Sequence, residues 1–406
     1  MITTSTRQVE SIGIIGGGLA GLSTAYYLID IATKTRPNDK LHITIYDIRN
    51  VGAGGASAVA GGLMHPFSPR GKIIHFGESA LEMSKVLVKA AAKHKPDCVL
   101  RDHLIRVALT SKNLAQLQDT ASKYGSLATW LSQEDLYNNY GIDCLGGLKL
   151  SNGCQVIHVP TYLEGLLIET VSKARQLTSG NVKWELIKSN DKEALDQKLK
   201  QHDSIIMSAG SGLLHDNLVE EDSLPVQLVR GQSIEIEMAN KSDEKATSAI
   251  LSGKYISPLP SLTQEGNNSI ASSQRYVIGA THEFKATPLT SSEVKEELRT
   301  RTYQLAPHLW EEGKVDKITT GVRMQSHRGI FGRMPIIGQY NLEATGESDI
   351  INHDHKWIFT GLSSRGLIYH GLFGKWLANA VLNDSEECLQ NEFEEFDWWR
   401  RKQKKK

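Results

Sequence analysis

The chain has 406 residues, two to three domains' worth at roughly 150 residues per domain, so a small stapled or metal-dependent mini-fold is excluded. Its 46 Lys and Arg balance 46 Asp and Glu, and zero net charge leaves no overall pull on a polyanion, so nucleic acid is not an expected partner. Cys98, Cys144, Cys154 and Cys388 form no C-x-x-C pair and are too sparse for a disulfide framework, which fits a reducing intracellular compartment, cytoplasmic or organellar. No metal-ligand spacing stands out, and no metal is expected.

Ile12, Ile14 and Ile15 run into a glycine cluster, after which Leu19, Leu22, Ala25 and Leu28 recur at helical spacing. Three consecutive glycines, Gly16 to Gly18, interrupt the uncharged run from Ser11 to Ile29 and argue against a membrane span or signal peptide. A polar turn from Thr33 to Lys40 precedes an alternating strand from Leu41 to Asp47, giving a β-α-β unit and hence a parallel sheet. A second glycine-rich stretch, Val51 to Pro69, leads to a helix over about Glu78–Lys93. Short polar helices and turns are expected between Asp97 and Leu150, then a helix from Tyr162 to Ala174. Asp203 to Gly210 reads as a buried strand of the first sheet ending in a glycine turn. From Val226 to Thr281 the chain reads as strands, with strict alternation in Gln232–Met238, suiting an antiparallel second sheet. Trp357 to Gly361, then Leu367 to Leu382, returns to strand, turn and helix. The tail is acidic from Glu386, aromatic at Phe396, Trp398 and Trp399, and ends in the basic run Arg400–Lys406, expected to be a solvated terminus.

Gly16, Gly18 and Gly21 form G-x-G-x-x-G between strand and helix. The first glycine permits the turn, the second lets backbone N–H groups reach a pyrophosphate at the helix N-terminus, and the third lets helix and sheet pack closely. Asp47 closes the second strand, placed to accept hydrogen bonds from a ribose 2′-OH. Dinucleotide binding is the strongest inference from the residues alone.

Downstream motifs choose among dinucleotides. Gly55-Ala-Ser57, Gly61-Gly-Leu-Met-His65-Pro66, Ser208-Ala-Gly210, Arg230-Gly-Gln232, Tyr255-Ile-x-Pro258, Val277 to Thr281, Gly321-Val-Arg323, Met334 to Gly338 and Gly361-Leu-Ser-Ser-Arg365-Gly366 resemble, in order over nearly the whole chain, the D-amino-acid oxidase superfamily, especially its glycine-oxidase-like members. The resemblance implies an α/β fold, α+β overall. A Rossmann-like FAD-binding domain of the glutathione-reductase type (1–95, 150–225 and 318–385) would join a mostly antiparallel substrate domain (96–149 and 226–317), followed by a tail (386–406). It implies noncovalent FAD, with no cysteine near Arg323 and His65 as the alternative point of attachment. FAD contacts are implied at Gly16, Gly18, Leu19, Ala20, Gly21, Asp47, Ser57, Gly61, Gly62, Leu63, Ala209, Gly210, Gly338, Ser364, Arg365, Gly366 and Leu367.

The same resemblance assigns Arg323 to grip a substrate carboxylate, with Arg365 near the same pocket, and the planar guanidinium fork suits that task. His282 follows the hairpin expected to border the flavin, where it shapes the pocket or is merely a loop residue. Arg70 and Lys72 face either an acidic substrate tail or water. Val277 and Ile278 stand where sarcosine-oxidase-like members carry a lysine before the hairpin glycine. A helix beginning near Gly366 would stabilise negative charge on the flavin. The reading is an FAD-dependent oxidoreductase acting on the C–N bond of a small amine or amino acid, with hydride transfer to flavin N5 and imine hydrolysis. Two alternatives stay open. One is an oxidase acting on a carboxymethylaminomethyl-type tRNA nucleoside, because Gly361 to Gly366 also resembles the oxidase half of the bacterial wobble-uridine enzyme; the other is a non-catalytic flavoprotein. Oligomeric state is not read from the sequence.

Overall fold

The computed structural model describes residues 9–400 except 190, 221, 240–247, 267–268, 286, 341–352 and 354. Five strands, Ser11–Ile15, Lys40–Asp47, Ser179–Leu186, Ser204–Met207 and Lys356–Thr360, form a parallel sheet, which Ile336–Gln339 extends as an antiparallel edge. The first strand lies between Lys40–Asp47 and Ser204–Met207. Because successive side chains alternate between faces, Ile12 and Ile14 enter the core on one side and Ile15 the core on the other. Ile206 alternates likewise with Ile205 and Met207. On the first side pack the helices Leu19–Thr35, Gly77–Ala92, Val159–Ala174 and Gly366–Asn383. Leu22, Leu28 and Phe373 there are fully buried, each contributing roughly 1.5–3 kcal/mol of hydrophobic transfer.

The eight-stranded second sheet runs in the order Lys314–Ser326, Val226–Ala239, Ser269–Gly279, Tyr255–Gly266, Ile250–Leu251, Leu104–Val107, Gly147–Leu150 and Ala128–Leu131. All its pairings are antiparallel except that of Ile250–Leu251 with Leu104–Val107. The alternation read in Gln232–Met238 buries Ile234, Ile236 and Met238 against Val294 and Leu298 of the Ser291–Thr302 helix. Residues of the opposite parity, Gly231 and Ser233, line a cavity.

Three expectations need correction. The Asp97–Leu150 region holds strands at Val99–Arg101, Leu104–Val107, Ala128–Leu131 and Gly147–Leu150 besides its helices, because these short strands are stabilised by sheet partners distant in sequence rather than by their own periodicity. The first of them pairs with Gln155–Ile157, which also pairs with Leu63–Met64. The helix expected to stop before Thr33 runs to Thr35. The basic run is not free at its first residue: Arg400 pairs with Glu386, beside the buried Phe396 and Trp399, and Trp399 Nε1 donates to the Ile337 carbonyl at 3.0 Å. Residues 401–406 of the basic run lie outside the described residues.

Candidate active site

One continuous cavity of about 1580 Å³ runs from the glycine loop, across the ends of the parallel strands, to the inner face of the second sheet. At its first end Gly16 has φ of +93°, and a Cβ there would lie 2.4 Å from Ala209 Cα, so the turn requires glycine. A Cβ on Gly18 would meet only Ser57 Oγ at 3.2 Å, leaving the space beside this residue free for a ligand. Gly21 does not line the cavity; its Cβ would fall 1.9 Å from the Gly16 carbonyl oxygen, which fits close packing of helix on sheet. The Leu19–Thr35 helix has no side-chain N-cap, so its first N–H groups and positive dipole end face the cavity, where Leu19 and Ala20 lie. Asp47 Oδ2 accepts from Gly17 N at 2.8 Å and Oδ1 from Arg49 N at 3.0 Å, which aims the carboxylate, although burial pushes its pKa up.

Asp47, Ser57, Gly61, Gly62, Leu63, Ala209 and Gly210 line the walls beyond this loop, and Ser364, Arg365, Gly366 and Leu367 open the Gly366–Asn383 helix against the cavity. That helix also lacks a side-chain N-cap. These surfaces fit FAD: uncapped helix ends for its negative charge, and an open place beside Gly18 that a side chain would fill. Of the implied FAD contacts Gly338, like Gly21, does not line the cavity. It sits on the edge strand away from the cavity, where a Cβ would meet Arg400 and Glu386 at 2.7 Å, so its role is packing against the tail rather than holding the cofactor.

At the far end Arg323, on the Lys314–Ser326 strand, donates from Nη2 to His282 Nδ1 at 3.0 Å. Its buried Nε has no partner among the described residues, and burial pulls its pKa down. Burial, then the nearby Arg323 charge, also lowers His282, keeping its Nδ1 an acceptor. Arg365 makes one weak contact, Nη1 to the Tyr369 hydroxyl at 3.5 Å. His65 lines the cavity with Nδ1 accepting from Phe67 N at 3.2 Å, so the ring proton sits on Nε2; burial first, then Arg106 and Arg365, drive its pKa down to about 3. No cysteine lines the cavity.

Several lining groups were not singled out from the sequence as site residues. The Tyr255 ring packs against Gly61, where a Cβ would come within 2.4 Å, and its hydroxyl lies 3.1 Å from Ser233 Oγ. Lys254 reaches the cavity from the preceding turn, with Nζ bonded to the Ala280 carbonyl and to Glu297, both at 2.6 Å. Arg106, Arg328 and Arg333 also line it. The signal for Tyr255 was its place in the hairpin motif; the arginines stood in no motif.

Residues 11–380 match the model of the DAO family, described as FAD dependent oxidoreductase. The chain belongs to this family. It is an FAD-dependent oxidoreductase. Glycine oxidase from Bacillus cereus ATCC 14579 superposes with a TM-score of 0.67 at 16% identity, covering 98% of this chain and 100% of that one. Glycine oxidase from Geobacillus kaustophilus gives 0.63 at 17%, covering 92% and 95%. Iminodiacetate oxidase from Chelativorans sp. BNC1 gives 0.63 at 16%, covering 91% and 95%. At these identities the likeness is one of fold. No curated protein matches the chain. Among the described residues no helix is long and apolar enough to cross a membrane.

Proposed function

We propose that this oxidoreductase oxidises the C–N bond of an amino acid, an amine that carries a carboxylate. The observation that carries the reading is Arg323: a half-buried guanidinium on the cavity wall, its Nε buried without a partner and its Nη2 held by His282, with no carboxylate paired to it among the described residues. Burying a cation without a counterion is costly, and an anionic ligand removes that cost. The names of the structural relatives, oxidases of glycine and of iminodiacetate, favour the same chemistry.

The glycine loop and the two helix ends would hold FAD noncovalently, and when bound it would supply a two-electron acceptor for a hydride equivalent from the carbon beside nitrogen, the imine left behind being hydrolysed by water. The chain's own residues bind and orient. Arg323 receives the carboxylate through its fork, and the neutral ring of His282 fixes that fork by accepting from Nη2. Positive charge from Arg323 and Arg365 disfavours an ammonium nearby, so the substrate nitrogen is held neutral with its lone pair available. Tyr255, tied to Ser233, walls the cavity and limits the water beside the reacting carbon. The test is an anaerobic screen of amines and amino acids against the purified yellow protein. Loss of the flavin's visible band with at least one amino acid is expected; a band untouched by every one of them removes the reading.

A further inference from the structure

The segment joining Lys314–Ser326 to Ile336–Gln339 is a tight hairpin in which Gly329 and Gly332 exchange two backbone hydrogen bonds, at 2.8 and 3.0 Å. Arg328 and Arg333 flank that pair and therefore stand opposite each other, and cross-strand neighbours leave a hairpin on one face. Both line the cavity that holds Arg323 and Arg365. The hairpin is clamped from behind: Phe331 stacks on His75 with centroids 4.4 Å apart and meets Phe393 edge-on at 5.6 Å.

Like charges placed opposite one another destabilise a hairpin. Among the described residues no Asp or Glu forms an ion pair with Arg323, Arg328, Arg333 or Arg365. Arg333 spends one N–H on the Ser326 carbonyl; burial, then Arg328 and Arg365, lowers its pKa. The acids that line the cavity lie elsewhere. Asp47 serves the glycine loop, Asp216 bonds Ser189, and Asp191 caps the Lys192–Leu199 helix. A single carboxylate is gripped by one guanidinium fork, so this end of the cavity carries more fixed positive charge than one carboxylate uses.

We propose that the substrate amine bears a second anionic group, a carboxylate or a phosphate remote from the carboxylate at Arg323, and that Arg328 and Arg333 bind it. The proposal rests on the amino-acid reading of the site and deepens it. Arg70 and Lys72, exposed on the cavity rim, add to the same field.

The test uses the holoprotein and three matched ligands: N-(2-carboxyethyl)glycine, its phosphonate analogue, and the neutral amide N-(2-carbamoylethyl)glycine. Binding is read from perturbation of the flavin spectrum, with unreactive succinate and propionate as a second pair, and flavin reduction is followed anaerobically. The expected result is about ten- to hundredfold tighter binding of the dianions than of the amide, as for one charge-assisted contact. The larger of the carboxylate and phosphonate preferences identifies the group. Arg328→Gln and Arg333→Gln should shrink the preference to a few-fold, and high salt should shrink it as well. Arg328 is exposed, so its variant is expected to fold, which circular dichroism and flavin content check. Equal binding of dianion and amide overturns the proposal, as does a preference that survives in the double variant. Tight succinate binding without reduction by any amine would support the anion subsite while removing the amino-acid reading; reduction without a dianion preference would do the reverse.

Discussion

The two ends of the cavity recognise ligands by different means. At the glycine loop the binding groups are backbone N–H groups and helix dipoles, gathered within residues 16–20 and aimed by Asp47. At the arginine end they are side chains brought from separate elements: Arg323 on a strand, His282 after another, Arg328 and Arg333 on a hairpin, and Arg365 at a helix start. The first end is local in sequence and, in the proposed reading, would serve a cofactor shared across a family. The second is assembled by the fold, which is where a family's members can diverge in substrate.

The largest expected effect separates folding from binding at the first end. Gly16→Val places a side chain against Ala209 at a positive φ and should cost on the order of 3 kcal/mol or more, seen as insoluble or early-melting protein. Gly18→Val, where φ is −75° and the nearest atom is Ser57 Oγ, should keep the fold to within about 1 kcal/mol yet purify colourless. Full flavin content in Gly18→Val would place the cofactor elsewhere.

At the second end, Arg323→Ala leaves a substrate carboxylate unpaired in a partly dry site. The expected loss is about 2–5 kcal/mol, roughly thirtyfold to several thousandfold in kcat/KM, with FAD retained. Arg323→Lys should recover only part, since a point charge cannot reproduce the fork.

How far each end was legible follows from the same contrast. Strand, glycine turn, helix and Asp47 could be read in the chain because each is decided by neighbours a few residues away. Gly338 misled: its motif is shared with the flavin domain, but its contacts are with Arg400 and Glu386, a tail pairing that no local pattern announces. Arg328 and Arg333 stand in no motif, since only the Gly329–Gly332 pairing and the strands behind it turn them toward the cavity. The strands at Leu104–Val107 and Gly147–Leu150 escaped for the same reason, being stabilised across a long sequence separation.

A third prediction concerns pH. His65 is held near pKa 3 and His370 near 4, both chiefly by burial, against an ordinary 6.5. The unfolded chain takes up protons that the folded one refuses, so the stability from these two groups is complete above about pH 6.5 and drains away as pH falls toward 4 and then 3. Thermal melts from pH 8 to 4 should show a falling Tm, with a shallower slope in His65→Asn, whose amide oxygen can still accept from Phe67. An unchanged slope in that variant would remove His65 from the account.

The smallest effect belongs to the tail. Arg400→Ala breaks a partly exposed pair with Glu386 and should cost no more than about 1 kcal/mol, with flavin content and turnover unchanged.

The central claim is that this flavin cavity takes an amine by its carboxylate at Arg323. The most direct measurement is the anaerobic rate of flavin reduction by an amino acid and by the same amine without its carboxylate, in the wild type and in Arg323→Ala. The account predicts rapid bleaching by the acid and slow bleaching by the plain amine in the wild type, with the difference collapsing in the variant. Equal rates for the two in the wild type, or a preference for the acid that persists undiminished in Arg323→Ala, would contradict it.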